Sequence, residues 1–243
     1  MKKNIIHLSE IDSTNRYLRD YKPADDEPMT VVTTDYQTAG RGQGSNSWES
    51  ERGKNLLFSI LVHPEKVPIE RQFLLSEVIA LSLREALSNL MEGVRIKWPN
   101  DIYVDDRKIS GTLMETHLSG GHIRDCVFGT GIDVNQQKFH SDAPNPVSVC
   151  QIIGHEIDRE ELLNKVLASF DSHYAMLEMG DYADISTFYH EYLYRREGYH
   201  RYRDEQGEFE GALVEVEDDG HLILHDKEGR IRSYAFKEIE YII

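Results

Sequence analysis

Cysteine is almost absent from this chain. Cys126 and Cys150 are the two it has among 243 residues, too few for a disulfide scaffold and without the C-x-x-C spacing of a thiolate metal site. Both read as ordinary reduced thiols. Positive charge is also scarce: 27 Lys and Arg stand against 43 Asp and Glu, a formal net charge of −16. Such a balance argues against a protein that grips nucleic-acid backbones by bulk electrostatics, so any nucleotide bound should be small and held by a local cationic site. No run of 18 apolar residues occurs, and Lys2 and Lys3 lead into no apolar stretch of leader length. Neither a membrane span nor a secretory signal is expected, which points to the cytoplasm. What remains is a globular composition, 40% hydrophobic and 29% charged. At about 150 residues per domain, the length reads as one large domain with a small appendage.

The pattern along the chain alternates helical and extended signals. Asp12-Ser13-Thr14-Asn15 offers N-cap residues for a short helix, and Val31 to Gln37 reads as a strand. Thr38 to Asn55, with Gly40, Gly42, Gly44 and Gly53, reads as a long flexible loop. Leu56 to Val62 is a buried strand; Leu74 to Leu90 recurs at helical spacing and is expected to close at Gly93. Val94 to Trp98, Ile102 to Val104, Ile109 to Thr116 and His122 to Val134 read as strands, the last two joined by a Gly120-Gly121 hairpin. A long helix starts after Asp158, with Glu161 as its capping-box partner, and ends near Gly180; a shorter one spans Asp184 to Tyr194. After Gly198, Phe209–Val216, His221–His225, Ile231–Phe236 and Ile239–Ile243 are short strand runs of a small β-barrel. The expected division is 1–194 and 195–243.

Three motifs carry chemistry. Gly40-Arg41-Gly42-Gln43-Gly44-Ser45-Asn46-Ser47-Trp48 follows a strand. Its glycines let backbone N–H groups approach an anion, Arg41 can fork onto a carboxylate or phosphate, and Trp48 can stack on a base; a plain exposed loop would look similar. In Lys97-Trp98-Pro99-Asn100-Asp101 the proline breaks a ladder and turns out Asn100 and Asp101, although a simple turn would do the same. In Arg107-Lys108-Ile109-Ser110-Gly111 a lysine opens an apolar strand. Strand alternation would put Lys108 on one face with Ser110 and Thr112, and Gly111 on the other.

In this order and spacing the motifs resemble the biotin protein ligases, also called biotin–[acetyl-CoA-carboxylase] ligases. The resemblance also includes Ser13-Thr14-Asn15, Gln37 to Gly42, and Gly129-Thr130-Gly131-Ile132-Asp133-Val134-Asn135, and it covers essentially the whole chain. It implies an α+β fold: a mixed β-sheet catalytic domain with packed helices, class II synthetase-like, plus a small C-terminal SH3-like β-barrel. Because Ser13 comes after twelve residues, the chain looks like the non-regulatory group without an N-terminal DNA-binding domain.

The resemblance implies a two-step acyl transfer, from biotin and ATP to biotinyl-5′-adenylate and then to a lysine of a biotin carboxyl carrier protein domain. A carboxylate must approach an anionic phosphate, so cations are required. Lys108 and Arg41 are the catalytic candidates, with Mg²⁺ on the triphosphate and Asp101 its candidate ligand. The family pattern assigns Ser13, Thr14 and Gln37 to the biotin head group, and Asn15, Gly40, Arg41, Gly42, Lys108, Gly111 and Gly131 are the further candidates for the biotin site. The candidates for ATP or the adenylate are Arg41, Gln43, Trp48, Asn100, Lys108 and Asn135. Many members carry arginines at the positions of Gln43 and Asn46, and asparagine at that of Asp133; Lys54 or Arg52 are the nearest substitutes in sequence. A homodimer through exposed sheet edges is compatible with the family, and no nucleic-acid or membrane partner is expected. The rival readings are a lipoate ligase or an octanoyl transferase of the same fold, the latter needing a reactive cysteine. A non-enzymatic binding module on the terminal barrel is the remaining rival, poorly suited to RNA with 13 acidic against 8 basic residues from Arg195 onward.

Overall fold

The computed structural model describes residues 1–24, 27–44, 46–141 and 145–243. In chain order the elements are β1 (Asn4–Leu8), α1 (Thr14–Asp20), β2 (Met29–Thr34), β3 (Leu56–Val62), a 3₁₀ turn (Ile69–Arg71), α2 (Phe73–Ser88), β4 (Val94–Lys97), β5 (Asp101–Val104), β6 (Arg107–Ser119) and β7 (His122–Ile132). They continue with α3 (Val149–Ile153), α4 (Arg159–Met179), α5 (Tyr182–Glu191), β8 (His200–Asp204), β9 (Gly207–Val216), β10 (Leu222–Asp226), β11 (Ile231–Tyr234) and β12 (Glu240–Tyr241).

Seven strands form a mixed sheet in the order β1-β2-β3-β7-β6-β5-β4. Only β1 and β2 run parallel among its pairs. Period-2 alternation gives this sheet two unlike faces. On one, Phe58, Ile60, Cys126, Phe128 and Ile132 join the main core beneath α2 and α4, where Phe128 meets Phe170 edge-on at 5.6 Å. On the other, Leu61 and Val127 form a small cluster with Leu18 and Val32 under α1. The β6–β7 hairpin turns at Gly120-Gly121, with Ser119 opposite His122. Both glycines have positive φ, +58° and +84°, the two-residue turn that the right-handed strand twist favours.

The C-terminal strands form a second, antiparallel sheet, ordered β11-β10-β9-β8-β12, matching the expected α+β class with a barrel-like appendage. It is bonded firmly to the first. Trp98 Nε1 donates to Gly220 O at 3.0 Å and its ring meets Phe236; the Val216 N–H donates to His190 Nε2 at 2.8 Å. Val216, Leu222, Leu224 and Tyr234 belong to the main apolar core. Lys97 lies 4.4 Å from the Tyr241 ring centroid, and burial pulls its ammonium below the ordinary lysine range despite the nearby Asp101 carboxylate. Much of the Lys97–Asp101 motif is therefore a joint between the sheets.

Some local expectations change. β1 alternates between half-buried and exposed residues, β8 buries only Tyr202, and α3 is five residues long, so none carries a long apolar signature. A capping box between Ser148 and Gln151 starts α3. Helix α2 ends at Ser88 with Asn89 as its C-cap, not at Gly93; Gly93, at φ +76°, serves the turn into β4. Asp158 caps α4 through the N–H groups of Glu160 and Glu161, while the Glu161 carboxylate pairs with Lys165 at 2.8 Å.

Candidate active site

The site is built on the α1-covered face of β3, β7 and β6, where the sequence places a serine and glycines among large apolar residues. Ser59 pairs with Gly129 across β3 and β7. Because Gly129 has no Cβ, the Asn15 side chain occupies that space; any Cβ there would overlap its amide. The Ser59 hydroxyl lies 2.6 Å from Asn15 Oδ1 and 2.7 Å from Thr14 Oγ1. Thr14 donates through its N–H and hydroxyl to Gln37 Oε1, at 2.9 and 3.1 Å, and Asn15 Nδ2 donates to Leu113 O and Glu115 Oε2 at 3.1 and 2.9 Å. Glu115 in turn sits 3.7 Å from Arg41. Ser13, the buried N-cap of α1, makes no capping bond with its side chain. Thus Ser13, Thr14, Asn15, Gln37 and Arg41 are brought together, with Ser59, Gly129 and Glu115 as members the sequence reading missed.

Lys108 reaches this face because the strand is irregular. Ile102 pairs with Ser110 but Tyr103 with Lys108, leaving Ile109 as an extra bulged residue. That bulge breaks the period of 2. Contrary to the expected alternation, Lys108 therefore shares a face with Gly111: a Cβ at Gly111 would lie 3.0 Å from Lys108 Nζ and 3.1 Å from Asp101 Oδ1. Ser110 is buried and donates to Gly131 O at 2.8 Å. Lys108 Nζ donates to Asp101 Oδ2 at 2.6 Å, both side chains being about three-quarters covered. Its backbone is fixed by Asn145 O and Val147 N. A half-buried, oriented ammonium is suited to neutralise charge developing on a phosphoryl oxygen.

Gly131, the register partner of Gly111, is covered by Trp48. A Cβ there would stand 2.6 Å from both Nε1 and Cζ2 of the indole, and Lys108 Nζ is 5.9 Å from the ring centroid. The Trp48 Nε1 is buried and makes no hydrogen bond among the described residues, an orphan donor of the kind a ligand acceptor satisfies. The glycine loop folds on itself, with Gly42 N–H donating to Asn46 O and Trp48 N–H to Gly40 O. Ser45 of that motif lies outside the described residues. The expectation of one flexible loop through Asn55 is corrected for its second half. Glu49 accepts from the N–H groups of His140 and Ser141, Gln136 Oε1 accepts from Glu51 N–H and Asn55 Nδ2, and Gly53 N–H donates to Asp35 O.

The nucleotide residues expected from sequence divide. Gln43 and Asn46 are exposed on the loop, and Asn100 is half-buried in the turn between β4 and β5. Asn135 is committed elsewhere: its Nδ2 donates to Ile157 O and its Oδ1 accepts from Ile157 N–H, at 2.9 and 3.0 Å. These bonds compete with the expected adenine contact. Burial raises Asp133 well above the ordinary carboxylate range, Lys108 opposing the shift. In its neutral form, accepting from Asn55 Nδ2 at 2.9 Å, it imitates an asparagine. Arg52 pairs with Glu10 and Lys54 with Glu156, so neither substitute for the missing arginines is uncommitted. Asp101 is a single carboxylate already paired with Lys108, a poor cage for Mg²⁺ by itself. Among the described residues, the metal-sized group of acidic and histidine ligands is Glu217, Asp219 and His221 instead.

Comparison with known proteins decides among the chemistries such a face could host. Residues 8–133 match the Biotin/lipoate A/B protein ligase family. The chain belongs to that family. It is 28% identical over 242 residues to the "Bifunctional ligase/repressor BirA" of Bacillus subtilis, covering 97% of this chain and 73% of that protein. It is 28% identical over 230 residues to the "Biotin--[acetyl-CoA-carboxylase] ligase" of Paracoccus denitrificans, covering 92% and 95%. The solved biotin protein ligase from Aquifex aeolicus in complex with biotin and ATP superposes with a TM-score of 0.81 at 29% identity, over 98% of this chain and 97% of that one.

Ser59 is one polar residue in the run Leu56 to Val62; that anomaly was its only advance sign. Glu115 lies in a strand of mixed character and carried none. Both cysteines are buried; burial raises the Cys126 thiol, with Asp125 adding to the effect, and Cys150 Sγ lies 3.2 Å from Ser148 Oγ.

Proposed function

We propose that this chain is a biotin–protein ligase of the biotin–[acetyl-CoA-carboxylase] type. In the first step a biotin carboxylate oxygen attacks the α-phosphorus of ATP, the bond to the β-phosphate oxygen breaks, and pyrophosphate leaves. In the second, a lysine amine of a carboxyl carrier protein domain attacks the acyl carbon and AMP departs. The observation that carries this reading is the paired glycine floor of Gly111 and Gly131, with the Lys108–Asp101 ion pair on one glycine and the unbonded Trp48 donor over the other.

The roles follow the chemistry of each group. Ser13, Thr14, Asn15 and Gln37 present donors and acceptors for a ureido ring, with Gly40 and Gly42 shaping the loop beside them. Gly111 and Gly131 leave room for an acyl chain once Trp48 swings aside. Lys108 and Arg41 neutralise the phosphoryl oxygens, and Trp48, Gln43 and Asn100 border the nucleotide. Mg²⁺ arrives on ATP as part of that substrate. Residues 1–194 form the catalytic unit and 195–243 an appended one, acting in the cytoplasm.

A lipoate ligase would use the same face. An octanoyl transferase would need a partly exposed thiolate in a cationic setting, and neither Cys126 nor Cys150 has one. Isothermal titration with biotin and with lipoate tests the assignment: biotin should bind at least a hundredfold more tightly. Preference for lipoate, or binding of neither, would overturn it.

A further inference from the structure

The loop that covers the site carries no charge at Gln43 or Asn46, yet the structure brings a cation to it from the other end of the chain. Lys237 stands in the turn between β11 and β12, and its ammonium lies directly on Gly44: a Cβ at Gly44 would run into Nζ, with Cε 3.6 Å away. Among the described residues no carboxylate pairs with this ammonium, in a chain of net charge −16. The adjacent Glu238 is turned away, accepting from Ala235 N–H at 2.8 Å.

Lys237 also holds an uncomfortable backbone. Its φ is +76°, at the third residue of a turn closed by Glu238 N–H donating to Ala235 O, where glycine is the usual occupant. Of the other non-glycine residues with positive φ, Asp105 and Asn145 are types that tolerate it. Arg195 is held by bonds from its guanidinium to Arg201 O and Ile242 O. Among the described residues Lys237 has no such bond to account for its conformation, and strain of this kind clusters at functional sites.

We propose that Lys237 is a phosphate-binding residue of the ligase site, supplying from the C-terminal sheet a positive charge that the glycine loop lacks at Gln43 and Asn46. This rests on the ligase reading, and it makes the C-terminal sheet a contributor to the first chemical step. The ammonium binds the α-phosphate of the adenylate or the departing pyrophosphate, as charge-assisted donors do.

Lys237→Gly tests it in the full-length chain, because the substitution removes the charge while installing the residue this backbone conformation prefers. The thermal midpoint should not fall. Affinity for inorganic pyrophosphate by titration should drop about tenfold, KM for ATP should rise about tenfold, and biotin affinity without ATP should stay within twofold. Lys237→Arg should keep parental values, and adding Gln43→Arg to Lys237→Gly should restore most of the loss. Pyrophosphate affinity within twofold of the parent would overturn the proposal, as would an equal loss of biotin affinity, which would make the residue merely structural. If the parent releases no pyrophosphate from ATP and biotin, the ligase reading fails, while the pyrophosphate titration, needing no biotin, still decides Lys237.

Discussion

The two faces of the seven-stranded sheet are made by the same strands and do opposite things. Along β7, Cys126, Phe128 and Ile132 point into the main core, while Gly129 and Gly131 alternate with them on the other side. The first face is filled by bulk. The second is kept open by its absence and occupied by side chains from elsewhere: Asn15 from α1 and Trp48 from the loop. Stability and chemistry are thus separated by the period of 2 of a β-strand, and a single substitution should fall mainly on the one its face serves.

The largest effect is expected on the packed face. Phe128→Ala removes a fully buried ring from contact with Phe170 and should cost about 3–5 kcal/mol in urea unfolding. Pyrophosphate release per folded molecule should change little; a specific loss of activity would break the separation. On the open face, Lys108→Ala should slow adenylate formation by roughly 10²–10³-fold, about 3–4 kcal/mol, the effect of one preorganised charge. Biotin affinity should be largely retained, and near-normal pyrophosphate release would remove Lys108 from the site.

The packed side has its own polar exception. Glu77 on α2 is buried, accepts from Ser186 Oγ at 2.9 Å, and is pushed up to about 8 chiefly by burial. The unfolded chain releases this proton near pH 4.5 while the folded chain retains it to about pH 8. Its contribution to stability is therefore full below pH 4.5 and is lost as pH rises toward 8. Relative to Glu77→Gln, the parent should lose several kcal/mol across that window in denaturation titrations; parallel pH profiles would contradict this. A smaller effect is expected from Ser59→Ala, which deletes the hydroxyl beside Asn15 and Thr14. It should cost about 1 kcal/mol of stability and weaken biotin binding about tenfold by calorimetry, whereas unchanged affinity would place the ureido contacts elsewhere.

The packed face was the more legible in sequence. Leu56 to Val62 and the helical spacing from Leu74 onward announced their burial, because bulk leaves a periodic trace. The open face announced itself through short motifs, whose glycines and lysine were visible but whose geometry was not. A bulge at Ile109 turned Lys108 toward Gly111, and no propensity marks a bulge of that kind. Asn135 looked like a ligand group and instead fastens Ile157. Lys237, remote in sequence from the loop it meets, could be found only by the docking of the second sheet. β1 and β8 escaped because half-exposed edge strands need no long apolar run.

The separation of the two faces is tested most directly at Gly131, where a single methyl group would compete with the Trp48 ring. Pyrophosphate release from biotin and ATP should be measured for Gly131→Ala alongside its thermal unfolding. The midpoint should stay within a few degrees of the parent, because the displaced indole belongs to a surface loop, while adenylate formation should fall at least about thirtyfold, roughly 2 kcal/mol. Parental pyrophosphate release by a stably folded Gly131→Ala would contradict the assignment of chemistry to this face.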